Sequence, residues 1–218
     1  MKSVFRRDGD LKVFWKTSPV TSVIIIINTI MFLITIMRGG FSTPNLYRLG
    51  GLSVFGIEAG DYYRFITAAF LHGGLMHYIS NTIIGLFVLS SGLERVIGKH
   101  KFAIIYFSSL VLSSVVVYFY SYLFQPNTLT IGASGAIFGV LGALLYLTLY
   151  REELLFPQEI KSIRMLVLLQ MVFTLISANI SIPGHIGGFA AGFLLSYIVL
   201  RPKKLYDKET DTYDFTVH

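Results

Sequence analysis

His72, His77, Asn81, Ser134 and His185 stand within or at the edges of long apolar stretches of this 218-residue chain. Polar side chains in such surroundings are costly enough to be functional candidates by default. His72 and His77 occur in L-H-G-G-L-M-H-Y-I-S-N, which Asn81 closes; Ser134 lies in T-I-G-A-S-G-A-I-F-G; His185 lies in P-G-H-I-G-G-F-A-A-G. The remaining histidines, His100 and His218, fall in polar segments. A metalloprotease would call for H-E-x-x-H, but His72 and His77 are five apart with no Glu between them. An aspartyl membrane protease needs two intramembrane carboxylates, and the stretches 65–93, 102–150 and 165–200 contain no Asp or Glu. The chain has no cysteine, which removes thiolate catalysis, disulfides and thiolate metal sites. What remains is a serine nucleophile whose proton a histidine accepts: a dyad of Ser134 and His185, with no acid to make a triad.

The neighbours of these residues suit that chemistry. Ser134 is placed at a helix start, where free backbone N–H groups and the positive end of the helix dipole can hold an oxyanion. His77 and Asn81 are four apart, so on an α-helix they share a face and can both donate to that oxyanion. Gly184, Gly188 and Gly192 repeat every four residues, as do Gly135 and Gly139. Two such small-residue faces let helix backbones approach closely, as short Ser and His side chains require if they are to meet within ~3 Å. Gly132 and Gly135 let the chain turn into the helix with Ser134 exposed to a cavity.

The elements that must hold these residues are membrane helices. The composition is 54% hydrophobic and 14% charged, far too apolar for a soluble domain of this size. Six uncharged stretches, 19–37, 73–93, 102–124, 131–150, 165–182 and 184–200, each approach the ~20 residues that cross a bilayer. The expectation is an all-α bundle of six transmembrane helices, with a tight turn at Ser181–Pro183 between the last two. Of the 18 Lys and Arg residues, 15 lie in the N-terminal segment, the 2–3 and 4–5 connections and the tail. That asymmetry puts both termini in the cytoplasm, and with it the ends of helices two, four and six that carry His77, Ser134 and His185 all face outward. Residues 1–18 form a basic, aromatic segment suited to lying on anionic lipid, 19–200 the bundle, and 201–218 a polar, flexible tail. The 1–2 connection, about 38–64, is rich in glycine and aromatics and reads as a compact structure resting on the outer leaflet. Nothing calls for nucleic acid, a cofactor or a metal.

In three motifs the sequence resembles the rhomboid family of intramembrane serine proteases: His72–Asn81, Gly132–Gly135 and Gly184–Gly192, in that order, with Glu94 and Gly98 near the inner end of helix two. The resemblance covers about residues 20 to 200. It implies a six-helix rhomboid-like fold with a membrane-associated loop between helices one and two. It also implies Ser134 as nucleophile, His185 as base, His77 and Asn81 as oxyanion partners, and His72 as a structural histidine beside the first loop. The implied substrates are single-span membrane proteins, and the implied location is a bacterial plasma membrane. Two positions depart from the family pattern: Tyr63-Arg64 stands where Trp-Arg is common, and Phe138 where Tyr is usual. Phe138 can still pack its ring on His185, without a hydroxyl.

Blander readings compete at each position. A single Ser or His in a membrane helix is more often an interhelical hydrogen bond than a catalyst, and Glu94 reads as a residue that ties helices together. As a whole, the alternative is an inactive relative that binds membrane helices, or a small transporter. A transporter would show inverted repeats or charged midplane sites, and neither is visible.

Overall fold

A computed structural model describes residues 3–5, 10–177, 180–201, 205–207 and 212–214. A short helix, α1 (Leu11–Thr17), opens with Asp10 accepting from the Lys12 N–H. The long α2 (Pro19–Met37) begins with a proline, whose missing N–H costs nothing in the first turn. Three short helices, α3 (Thr43–Arg48), α4 (Val54–Glu58) and α5 (Arg64–Thr67), make up the 1–2 connection. The second span, Leu75–Ile97, is composite: α6 (Leu75–Ile79), a π-helical stretch Ser80–Ser90, and α7 (Ser91–Ile97). Then follow α8 (Lys99–Phe124), α9 (Ser134–Tyr150), α10 (Pro157–Ile176) and α11 (Ile182–Val199).

Four of these helices, Pro19–Met37, Leu75–Ile97, Lys99–Phe124 and Ile182–Val199, are long and apolar enough to cross a membrane, and Ser134–Tyr150 is a shorter apolar helix. The fifth stretch of the sequence reading is displaced: the helix runs over Pro157–Ile176, not 165–182. Its first turns carry Glu159, Lys161 and Arg164, and a search for uncharged residues passes over a helix end that polar partners satisfy. Pro183 does not lie in a turn but in the first turn of α11, which Ser181 caps by accepting from the Gly184 N–H. Ala178 and Asn179, between the two helices, lie outside the described residues. From Leu11 to Val199 every element is helical. In the tail, Leu205–Asp207 (β1) and Thr212–Asp214 (β2) pair antiparallel. The rest of the expected flexible tail, and Lys2 and Arg6–Gly9 of the basic segment, lie outside the described residues.

The core centres on α9, which is buried on every side from Ala136 to Leu144, as an all-round apolar helix must be. It packs most extensively against α11, and both pack on α8. On α11, a Cβ at Gly188 would collide with the Gly135 carbonyl, and one at Gly192 with the Gly139 carbonyl; Gly142 is closed in the same way by the Phe189 carbonyl. The other glycine ridge is used differently from expectation. Gly135 and Gly139 turn their bare Cα faces to Ser113 and Ser109 of α8, so α9 is gripped by serines on one side and by glycines on another. α10 is peripheral: Leu168, Leu169, Phe173, Leu175 and Ile176 are all exposed.

Two buried charges hold the frame. Glu94 accepts from the Val20 and Thr21 N–H groups (2.9 and 2.8 Å), so its carboxylate caps the start of α2 from a distant helix. Arg64 organises the 1–2 connection: it donates to Asp61 (3.0 and 2.8 Å) and to the carbonyls of Tyr47 and Gly51 (2.7 and 2.9 Å). Its guanidinium also lies 4.2 Å from the centre of the Tyr47 ring. The hydroxyl of Tyr118 on α8 donates to Glu58 and ties α4 to the bundle.

Candidate active site

Ser134 is the first residue of α9, so the N–H groups of the first turn have no helical acceptor. The segment that delivers it is pinned to the 1–2 connection. Thr130 exchanges backbone hydrogen bonds with Leu52 (3.0 and 2.8 Å), and the Gly132 N–H donates to the Ala68 carbonyl (2.8 Å). Gly132 takes φ of +115°, a conformation that L side chains rarely adopt. A Cβ there would also stand 2.6 Å from His77 Nε2, so the imidazole lies directly on the glycine.

His185 sits in the first turn of α11 and is buried. Phe138, one turn below Ser134 on α9, stacks on it with ring centres 3.9 Å apart and planes at 16°. The stack fixes the plane of the imidazole against the helix that carries the serine. The second fixed point is on α10: the Thr174 hydroxyl lies 2.9 Å from His185 Nδ1. No sequence motif marks Thr174; its only signal was a polar residue late in an apolar stretch. Among the described residues, no hydrogen bond joins Ser134 to His185. The helices that carry them meet where Gly188 faces the Gly135 carbonyl.

His77 Nδ1 accepts a long bond (3.4 Å) from the Gly73 N–H. The Asn81 amide donates to the His77 carbonyl one turn back (2.8 Å). Both residues sit where α6 passes into the π-helical stretch, a rare conformation that recurs at functional sites. His72 is fully buried, in edge contact with the His77 ring (centres 5.1 Å apart) and the Tyr78 ring (5.6 Å). Burial, and the His77 imidazole beside it, push its pKa down to about 3.

A cavity of about 30 Å³ lies beside Ser134, lined by Ser113, Ser114, Thr130 and Ser181, by Gly132, Gly135 and Gly184, and by apolar residues that include Leu52, Val117 and Ile131. It is large enough for a water molecule and offers it hydroxyl-bearing neighbours among apolar walls. A larger hollow, about 420 Å³, lies elsewhere, between the 1–2 connection and residues 126–129, and holds none of the candidate residues. No cluster of three His, Cys, Asp or Glu able to hold a metal occurs among the described residues.

A polar constellation at the mouth of apolar helices is the architecture of an integral, multi-pass membrane protein with a site held between its helices. The profile of the Rhomboid domain matches residues 59–202, and the chain belongs to the rhomboid family. It is 30% identical over 208 residues to the Bacillus subtilis protein named "Putative rhomboid protease YdcA", covering 92% of this chain and 98% of that protein. It is 31% identical to the rhomboid protease GluP of Bacillus subtilis, covering 93% of this chain but 39% of GluP. To RHOMBOID-like protein 4 of Arabidopsis thaliana it is 32% identical, covering 74% of this chain and 40% of that protein. The chain therefore spans nearly all of the first relative and about two fifths of the other two.

Proposed function

We propose that this protein is an intramembrane serine protease that hydrolyses peptide bonds in or near the transmembrane segments of single-span membrane proteins, with Ser134 as nucleophile and His185 as general base. The observation that carries the reading is the α9–α11 contact. It brings the free N-terminus of the serine's helix against the turn that holds His185, and Phe138 stacks on the imidazole. In the reaction, Oγ bonds to the scissile carbonyl carbon as its proton passes to Nε2. The same proton then goes to the leaving nitrogen, and a water molecule hydrolyses the acyl-enzyme. The cavity beside Ser134 is large enough to admit that water.

The oxyanion is held by the first N–H groups of α9, with His77 and Asn81 as side-chain donors. The Gly73 N–H donated to His77 Nδ1 supports this role, because an Nδ1 that accepts leaves the ring proton on Nε2, the nitrogen that faces Gly132. We further propose six spans, with α10 and the shorter α9 completing the four long ones, both termini cytoplasmic and the 1–2 connection outside. The skew of the basic residues supports that orientation. A fluorophosphonate probe tests the central claim: it should label the purified protein, and Ser134→Ala or His185→Ala should each abolish labelling. Undiminished labelling of Ser134→Ala would overturn the assignment.

A further inference from the structure

We infer that Thr174 is the positioning residue of the dyad: its hydroxyl takes the place that a carboxylate holds in a triad and fixes His185 in the tautomer that can act as a base. The inference rests on the dyad reading above and assigns a role to a residue on a helix that carries none of the motifs.

Thr174 Oγ1 lies 2.9 Å from the Gln170 carbonyl of its own helix and 2.9 Å from His185 Nδ1. A hydroxyl has one hydrogen. The Gln170 carbonyl oxygen can only accept, so the hydroxyl proton is spent on that bond. The contact with Nδ1 is then a hydrogen bond only if Nδ1 carries the ring proton and the threonine oxygen accepts it. A neutral imidazole protonated at Nδ1 has its lone pair on Nε2. That is the nitrogen a general base needs free for the serine hydroxyl.

Among the described residues, Thr174 Oγ1 has no hydrogen-bond partner besides the Gln170 carbonyl and His185 Nδ1. The residue is almost fully buried, and α10 around it is apolar, from Met171 to Ile176. No carboxylate lies anywhere in 165–200 to take the role instead. The threonine and the Phe138 ring constrain different degrees of freedom: the stack sets the plane of the imidazole, and the hydroxyl sets its rotation within that plane and the location of its proton. When Nε2 takes the serine proton, Nδ1–H remains donated to Thr174 Oγ1, so the imidazolium keeps its partner through the step and no second proton moves.

Thr174→Val removes the hydroxyl while keeping the branched shape, and Thr174→Ser keeps the hydroxyl. Fluorophosphonate inactivation of the detergent-purified full chain separates the maximal inactivation rate from the half-saturating probe concentration. Thr174→Val should lower the maximal rate about 10-fold, the size one neutral hydrogen bond supports and far below the ~10⁴ seen when an ionised partner is lost. The half-saturating concentration should stay within about twofold, because nothing that touches the probe has changed. Thr174→Ser should recover most of the rate. An independent readout is the ¹⁵N spectrum of histidine-labelled protein, with the His185 signals identified by their loss in His185→Asn. Wild type and Thr174→Ser should show a protonated Nδ1 and a bare Nε2, and Thr174→Val should gain the opposite tautomer. A wild-type His185 protonated at Nε2, or Thr174→Val inactivated at the wild-type maximal rate, would overturn the inference while leaving the dyad intact. Failure of the dyad itself would appear separately, as labelling that survives Ser134→Ala.

Discussion

The substitution Gly188→Ala tests whether the α9–α11 contact sets the geometry of the site. A Cβ built on Gly188 runs into the carbonyl of Gly135, with the carbonyl carbon at 2.8 Å and Cα at 3.3 Å, whereas ordinary Cβ contacts begin near 3.4 Å. Moving from 2.8 to 3.4 Å separates the helices by at least 0.6 Å, and the carbonyl oxygen, nearer still, demands more. The obstacle is backbone on both sides, so no rotamer change relieves it. Gly188 lies one turn after His185 and meets the residue next to Ser134, so the displacement falls almost wholly on the Ser–His separation. Misplacement of reacting groups by about 1 Å costs on the order of 10²-fold, and overpacking of this kind destabilises by about 1–3 kcal/mol. Gly188→Ala should therefore be labelled by the fluorophosphonate about 100-fold more slowly per folded molecule, with a lowered melting temperature. Gly184→Ala is the control. Its Cβ would meet Ser181 Oγ and Val117 Cγ2, each at 3.0 Å, and side-chain ends can yield a few tenths of an ångström. Its labelling should fall by less than about threefold. If Gly188→Ala is labelled as fast as Gly184→Ala, the close backbone approach does not hold the dyad.

Two further outcomes follow from the frame around the site. His72 is buried and neutral, with no hydrogen-bond partner for either ring nitrogen among the described residues, and its pKa of about 3 lies below the ordinary 6.5. Between those values the unfolded chain binds a proton that the folded chain refuses. The stabilisation is thus complete above about pH 6.5 and is lost as the pH falls, at up to about 1.4 kcal/mol per unit; melting curves from pH 7 to 5 should be steeper for wild type than for His72→Phe, and equal slopes would refute the assignment. The chain has no cysteine, so single cysteines at Ser42 and Lys99, both exposed, report sidedness directly. An impermeant thiol reagent on intact cells should label the first and spare the second, and the reverse would invert the topology.

Much of this protein is written in local pattern. The span Pro19–Met37 coincides with its uncharged stretch, because a membrane helix needs only continuous apolar residues and a proline to start it. The position of Ser134 at a helix start followed from the glycines on either side of it, Gly132 and Gly135, and the close approach of α11 from its four-residue repeat, since both are short-range rules. What no local rule carries is the pairing of residues far apart in the chain. Thr174 reaches His185 across the α10–α11 boundary, Glu94 caps α2 from 73 residues away, and Glu159 on α10 accepts from Ser3, Val4 and Phe5 at the other end of the sequence. The π-helical stretch Ser80–Ser90 was equally hidden, because no residue type in it marks hydrogen bonds that shift register only in the packed bundle. In hydrocarbon, periodicity tells a helix only that it is a helix. Which face meets which neighbour depends on polar groups finding partners and glycines finding backbones, and those choices exist only once all the helices are assembled.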